Sequence, residues 1–472
     1  MWIDRRQFLS SALGFPALAA AATDNAARNP LAARKPPLPA TAKSVIFLFM
    51  HGGPSHLETF DPKPELNKLH GKLVPPSFGH VQLQFSKFNE SPVLGCRRTF
   101  ARHGRAGMEV SDLFPHLAKQ ADKLAVIRSM NHDGFTHTAA LNYLNNGWPR
   151  LGRPSLGSWV VYGLGSEADN LPAFVVMLDG GIKSGPVVYN AGFLPAMYQG
   201  TPLCKGPAPI LYLQPPAGTT MSGQRVMLDE LQWFNQQHRA AHQAAASELD
   251  ARMSAYELAF RMQIAAPELA DLTKESAATR TMYGIDERTT ADFGGKCLMA
   301  RRLVERGVRF VQLWSGSTTG GGDWDGHQEC DDNHVKMSAK IDKPVAGLLA
   351  DLESRGLLDS TLVVWAGEFG RTPTSDGGMN GGGGSLGRDH NPYGFSIWMA
   401  GGGVRGAKVI GRTDEIGLRA IEDPVHVHDL HATMLALLGF DHTKLTYPFQ
   451  GREFRLTDVH GSMALWEKLR RA

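Results

Sequence analysis

Histidines and carboxylates gather at the ends of four short apolar runs in this chain, and together they have the makings of a metal site. SVIFLFM leads to His51 in MHGG, and VRFVQLWSG leads to GGGDWDGHQE with Asp323, Asp325 and His327. TLVVWAG leads to Glu368 and Arg371 in EFGR, and FSIWMAGGG is preceded by Arg388, Asp389 and His390 in GRDHN. The imidazoles of His51, His327 and His390 with the carboxylates of Glu368, Asp323, Asp325 and Asp389 form a mixed nitrogen and oxygen set. Such a set suits Zn²⁺, Mn²⁺ or iron better than Ca²⁺ or Mg²⁺, which prefer oxygen alone. The expected cofactor is a divalent metal, Zn or Mn, as one or two ions. It would acidify water toward a pKa of ~7 and polarise an ester oxygen, so hydrolysis needs no side-chain nucleophile. Arg371 and Arg388, beside the ligands, are suited to hold an anion bidentately.

The elements that must position these groups are legible from pattern. Short apolar runs bounded by glycine read as strands buried on both faces, as in parallel sheets covered by helices. Ligands of open α/β sheets bind beyond the carboxyl ends of the strands. LAVIRSM is a further strand, followed by a helix over His137 to Asn146. KCLMARRLVE reads as a helix before VRFVQLW, and Val335 to Arg355 as a helix before TLVVWAG, which is βαβ order. The expected fold is a mostly parallel α/β sheet with helices on both faces. Between Asp229 and Tyr283, Leu249, Met253, Tyr256, Phe260 and Ile264 recur at helical spacing, which reads as a helical insertion. Gly377 to Gly387 lacks a strand–turn–helix context and reads as a flexible loop. A lone histidine is more often structural than ligating, which is the reading for His428 and His431 in HDLHATMLALLG.

The amino-terminal segment answers a different question. Arg5 and Arg6 precede Phe8, an apolar stretch and small residues near Ala20 to Ala22, and this resembles a twin-arginine export signal over residues 1–22. A Pro- and Ala-rich linker to residue 43 and one large domain over 44–472 follow. The apolar stretch is shorter than the ~20 residues a membrane span needs, and no later window is long enough. The expectation is a soluble protein exported to the periplasm. With 49 basic and 46 acidic residues and a net charge of +3, no nucleic-acid surface or polybasic membrane patch is expected. Cys96, Cys204, Cys297 and Cys330 are far apart without C-x-x-C spacing, and are either buried thiols or one or two disulfides.

The segments MHGGPSHLETFDPKP, THTAALNYLNNG, DWDGH, LVVWAGEFGRTP, GRDH, HVHDLHATMLALLGF and FQGREFRLTDVHG occur in this order. They resemble the DUF1501 family of planctomycete-type exported proteins, related to the alkaline phosphatase and sulfatase superfamily. The resemblance implies a doubly wound α/β fold with metal ions at the carboxyl edge of the sheet, and a sulfate or phosphate ester substrate, on a small molecule or a polysaccharide. His51 matches the superfamily's first metal-binding aspartate. Glu368-Phe369-Gly370 matches its Asp-His-Gly with one ligand lost, and His327 and His390 match its late ligands. His137 falls where the superfamily nucleophile sits and is unsuited to ester attack, so metal-activated water is the expected nucleophile, with Thr136 and Thr138 the nearby hydroxyls. The alternative is a non-catalytic exported protein that keeps the fold and serves as a partner in a surface complex.

Overall fold

The computed structural model describes residues 30–83, 87–203, 215, 218–241, 246–319, 322–376 and 386–470. The strands that matter here are β1 (Ser44–Met50), β2 (Ala125–Asn131), β3 (Phe174–Met177), β4 (Thr201–Leu203), β5 (Phe310–Ser315), β6 (Thr361–Gly367), β7 (Gly370–Ser375), β8 (Arg388–Asn391), β9 (Phe395–Ala400), β10 (Lys408–Ile410) and β11 (Val425–His426). The helices that matter here are α1 (His137–Asn146), α2 (Leu156–Leu164), α3 (Met221–Ala241), α4 (Ala246–Ala270), α5 (Ala291–Glu305), α6 (Cys330–Ser354) and α7 (Val427–Leu437). A nine-stranded sheet runs β10-β2-β9-β6-β1-β5-β3-β4, with β11 also beside β2. β1 is central and parallel to both neighbours, Leu48 lying opposite Leu313 of β5 and Trp365 of β6.

Alternation along β1 feeds two cores. Val45, Phe47 and Phe49 pack with α1, α2 and α7 on one face. Ile46, Leu48 and Met50 pack with α5 and α6 on the other. That is the physical content of a run apolar at every position: both faces are covered. The fold is thus the mostly parallel α/β sheet, helices on both faces, that the runs imply.

β9 is antiparallel to β2 and β6. It therefore begins at the edge where the parallel strands end. His390 precedes its strand in sequence, whereas His51 and Glu368 follow theirs, and the reversal brings all three to one edge.

Some boundaries differ from the sequence reading. Helix α3 starts at Met221, ahead of the expected insertion, and Ala265 and Leu269 of α4 pack into the core of α5 and α6. α6 begins at Cys330 rather than Val335, with Asp331 and Asp332 in its first turn, where carboxylates favour a helix amino terminus. Residues 30–43 run against the body: Arg34 N donates to Leu164 O at 2.7 Å and Leu38 N to Gly439 O at 3.0 Å. Residues 1–22, Cys204 and most of the glycine-rich stretch lie outside the described residues. Cys96, Cys297 and Cys330 are buried free thiols, and burial pushes the Cys96 thiol up to about 12. No helix among the described residues is long and apolar enough to cross a membrane.

Candidate functional site

Six loops meet at the carboxyl edge, and each carries a polar side chain inward. His51 follows β1 directly, and Glu368 follows β6 directly. His137 opens α1, whose amino cap is Thr136, its hydroxyl accepting from Ala139 N. Asp323, Asp325 and His327 lie between β5 and α6. Trp324, fully buried in the core of α5 and α6, anchors that loop and leaves Asp323 and Asp325 on its other side. Trp324 N donates to His51 O at 2.8 Å, tying the loop to the end of β1. The approach is so close that a Cβ at Gly52, where φ is 110°, would meet Trp324 N at 2.7 Å; only glycine fits. β7 and β8 form a separate ribbon in which His390 pairs with Arg371.

The side chains form one connected cluster about Asp325. Asp325 Oδ1 lies 2.8 Å from the Arg371 guanidinium, 3.1 Å from His327 Nε2 and 3.6 Å from His390 Nε2. His327 Nε2 and His390 Nε2 are 2.9 Å apart. The opposite ring nitrogens fix the tautomers. His390 Nδ1 is 3.0 Å from Phe135 O, a pure acceptor, so Nδ1 carries the hydrogen. His327 Nδ1 is 2.6 Å from Asp376 Oδ2 and donates to that carboxylate. His137, Asp325, His327 and His390 each offer a donor atom, all within 4.8 Å of one another. Donors sharing one ion at ~2.0–2.1 Å stand roughly 3–3.5 Å apart, which matches the spacing at His327, His390 and Asp325.

The other oxygen of Asp325 faces a second group. Its Oδ2 is 3.0 Å from His137 Nε2 and 2.5 Å from Lys183 Nζ. His137 Nδ1 is 2.8 Å from Glu368 Oε1, which also accepts from Gly52 N at 2.9 Å. His51 Nε2 accepts from Lys183 N at 3.3 Å, and His51 Nδ1 is 3.9 Å from Asp323 Oδ2.

Electrostatics sets the protonation. Burial pushes the Asp325 carboxyl up, but Arg371 and the imidazoles of His137 and His390 outweigh it and hold it well below the carboxylate range. Burial likewise raises Glu368, yet His137, His51 and Lys183 bring it down to about 2. Burial keeps His390 neutral, down to about 3, and lowers His51 as well. In His137, burial is outweighed by the Asp325 and Glu368 hydrogen bonds, and its pKa is raised. Lys183 Nζ, itself a donor, lies 2.9 Å from His137 Nε2. In the neutral His137 ring the proton sits on Nδ1, facing Glu368, and Nε2 is left to accept from that ammonium.

The structure brings together His51, His137, Asp323, Asp325, His327, Glu368, Arg371 and His390, groups Asp389 with His327 and Asp376 beside them, and turns Arg388 away. Arg388 is fully buried and turned away. Its guanidinium donates to Glu58 at 2.7 and 3.0 Å, to Thr372 O and to Gly95 O, so it has no face for a substrate anion. Arg371 is similarly engaged, with Gly53 O at 2.9 Å, Gly52 O and Arg388 O, so it clamps the MHGG turn to Asp325. Asp389 stands behind His327 with Asp376, and one of its oxygens accepts from His390 N at 2.7 Å. His428 and His431 donate to Gly147 O and Leu144 O at the end of α1. Lys183 and Asp376 escaped the sequence reading. For Lys183 the signal was present: FVVML followed by DGG repeats the strand-then-glycine pattern of the other edge loops.

A family model described as "Protein of unknown function (DUF1501)" matches residues 42–465. No curated protein matches the chain. Among solved structures, PsFucS1 sulfatase from Pseudoalteromonas sp. is similar at 12% identity and a TM-score of 0.35, over 89% of this chain and 70% of that one. Ps i-CgsB in complex with k-i-k-neocarrahexaose is similar at 11% identity and a TM-score of 0.35, over 86% and 72%. A TAB5 alkaline phosphatase mutant with Mg bound is 10% identical with a TM-score of 0.31, over 77% and 92%. Likenesses this distant assign no chemistry.

Proposed function

The chain belongs to the DUF1501 family, whose description assigns no reaction, and from its own sheet edge we propose that it is an exported, metal-dependent hydrolase of sulfate or phosphate esters. One observation carries this reading. His327 and His390 have their Nδ1 hydrogens committed to Asp376 and Phe135, and their Nε2 lone pairs converge 2.9 Å apart beside a carboxylate oxygen. A proton in that gap serves one direction only; a cation engages both lone pairs and Asp325 Oδ1 together. The Asp376–His327 contact is the carboxylate–histidine support usual behind a ligating imidazole.

Other features fit a cation as well. Glu368 Oε2 and His51 Nδ1 are buried without a hydrogen-bond partner, a cost that a nearby positive charge offsets. His327, His390 and Asp325 would hold the ion, three protein ligands leaving a position open as in catalytic zinc sites. Bound there, Zn²⁺ or Mn²⁺ would supply acidification of water and polarisation of an ester oxygen. Of the protein's own groups, Arg371 fixes Asp325, and Glu368 orients His137 so that its proton stays on Nδ1.

The cluster holds no hydroxyl nucleophile among the described residues, and the Thr136 hydroxyl caps α1. We therefore favour water as the attacking group. Thr136→Ala and Thr138→Ala should keep most activity. The same lack supports a second reading, a non-catalytic exported protein that keeps the fold and serves as a partner in a surface complex. The ester is on a small molecule or a polysaccharide, and export rests on Arg5, Arg6 and the apolar stretch that follows. Replacing both arginines by lysine should leave precursor in the cytoplasm.

Metal analysis of purified protein, followed by aryl sulfate and aryl phosphate assays, separates these readings. Bound metal with turnover that a chelator abolishes is the expected result. Metal without turnover on either panel favours the binding protein, and absence of metal overturns the metal-dependent hydrolase.

A further inference from the structure

The cluster around Asp325 has two sides, and only one of them calls for an ion from solution. On the side of Oδ1, neutral imidazoles converge, as described. On the side of Oδ2, a cation is already present. Lys183 Nζ lies 2.5 Å from Asp325 Oδ2, 2.9 Å from His137 Nε2 and 3.3 Å from Asp323 Oδ2. Those acceptors come from α1 and from the loop before α6, and Lys183 comes from the loop after β3. The side chain is 22% exposed, so solvent was available to its ammonium; it points inward instead.

We infer that Lys183 is a tethered second cation: its ammonium takes the place that a second metal would fill, so the site binds a single exchangeable divalent ion. This rests on the metal reading above. The donor set on the Lys183 side is of ligand type. Asp325 Oδ2 and His137 Nε2 are 3.0 Å apart, the spacing of two donors on one ion, and Asp323 adds a further carboxylate. Asp325, whose Oδ1 faces His327 and whose Oδ2 faces His137 and Lys183, would serve both positions. An alternative is that Lys183 merely pins its loop. The backbone already does so, since Lys183 N donates to His51 Nε2 at 3.3 Å, and pinning does not require three acceptors from two elements. A lysine ammonium is a compact point charge with three donors, which suits three acceptors about one point.

The consequence is a stoichiometry that changes in an unusual direction. Removing the ammonium leaves Asp323, Asp325 and His137 around an empty position, and a divalent ion should enter it. Equilibrium dialysis of the purified full chain against Zn²⁺, with thermal melts to verify folding, tests this. Wild type should bind one ion per chain, K183A two, and K183R, which restores a fixed positive charge, one. Should K183A be insoluble, K183M keeps most of the aliphatic stem and gives the same readout. Two ions in wild type, or one in both K183A and K183M, would overturn the inference and leave the metal reading standing. No ion in wild type would instead remove the metal reading on which it rests.

Discussion

Two regions of this protein bury several charges, and they do so in opposite ways. Beside α5 and α6, Arg301 meets Asp351 at 3.0 Å, Glu275 at 2.8 Å and Glu305 at 2.7 Å, while Arg302 meets Glu275 at 2.7 Å and Tyr283 donates to Asp351 at 2.9 Å. Every carboxylate there faces donors. At the sheet edge Arg371 and Lys183 engage Asp325, yet two imidazole nitrogens and Asp325 Oδ1 still converge on one gap, with unpartnered atoms on Glu368 and His51 nearby. Buried charge is costly unless paired. The first region is complete in itself. The second keeps convergent acceptors beside its resident cations, which is the ground for proposing a metal there, and burial alone would not have told the two apart.

The largest separation between the regions should come from removing one aspartate in each. Asp325→Asn deletes the charge that both halves of the edge cluster share. Metal affinity should fall by more than about 100-fold, since loss of an outer partner alone costs about 10–100-fold, and ester hydrolysis should fall to background. Asp351→Ala should instead cost about 3–5 kcal/mol of stability, the price of a buried charge left without its partner. It should leave the affinity of the folded protein for metal unchanged. Urea unfolding and chelator-competition titrations measure both quantities, and equal metal loss in the two variants would erase the distinction.

Asp376→Asn is a milder break. It removes the acceptor that commits the His327 Nδ1 hydrogen and leaves the ligand itself in place. Metal affinity should weaken by about 10–100-fold with little change in melting temperature.

Acid should act on the edge and its surroundings together. Burial holds His390 down to about 3 and His132 and His334 to about 4. In the unfolded chain these histidines titrate near ~6.5. Below that pH the unfolded state binds protons that the folded state refuses, so stability declines as pH falls from ~6.5 toward about 4. Glu368, held at about 2, adds a loss only below ~4.5. Melting temperatures should therefore fall between pH 7.5 and pH 5. Zn²⁺ at ~100 times its Kd should add about 2.7 kcal/mol, a smaller effect that weakens as protons compete for the imidazoles.

What the sequence made legible follows the same division. Strand runs, the helix at His137 to Asn146 and most residues of the edge cluster could be read because each depends on local pattern: apolar residues, then glycine, then a polar group. Arg388 looked equivalent to Arg371 because adjacency cannot show direction. β8 turns the Arg388 guanidinium toward Glu58 while His390, two positions on, faces Asp325. Asp376 could not be read at all, because its role exists only once β7 and β8 pair and bring it behind His327. Lys183 follows a strand of only four residues, too short a run to draw attention to the loop beyond it.

The central claim is that one exchangeable cation belongs between His327, His390 and Asp325. Crystals of the Zn²⁺-loaded protein, measured above and below the zinc edge, test it most directly. The account predicts an anomalous peak ~2.0–2.1 Å from His327 Nε2, His390 Nε2 and Asp325 Oδ1, with the His327–Asp376 hydrogen bond intact. A peak elsewhere in the chain, or none at this gap under saturating zinc, would contradict it.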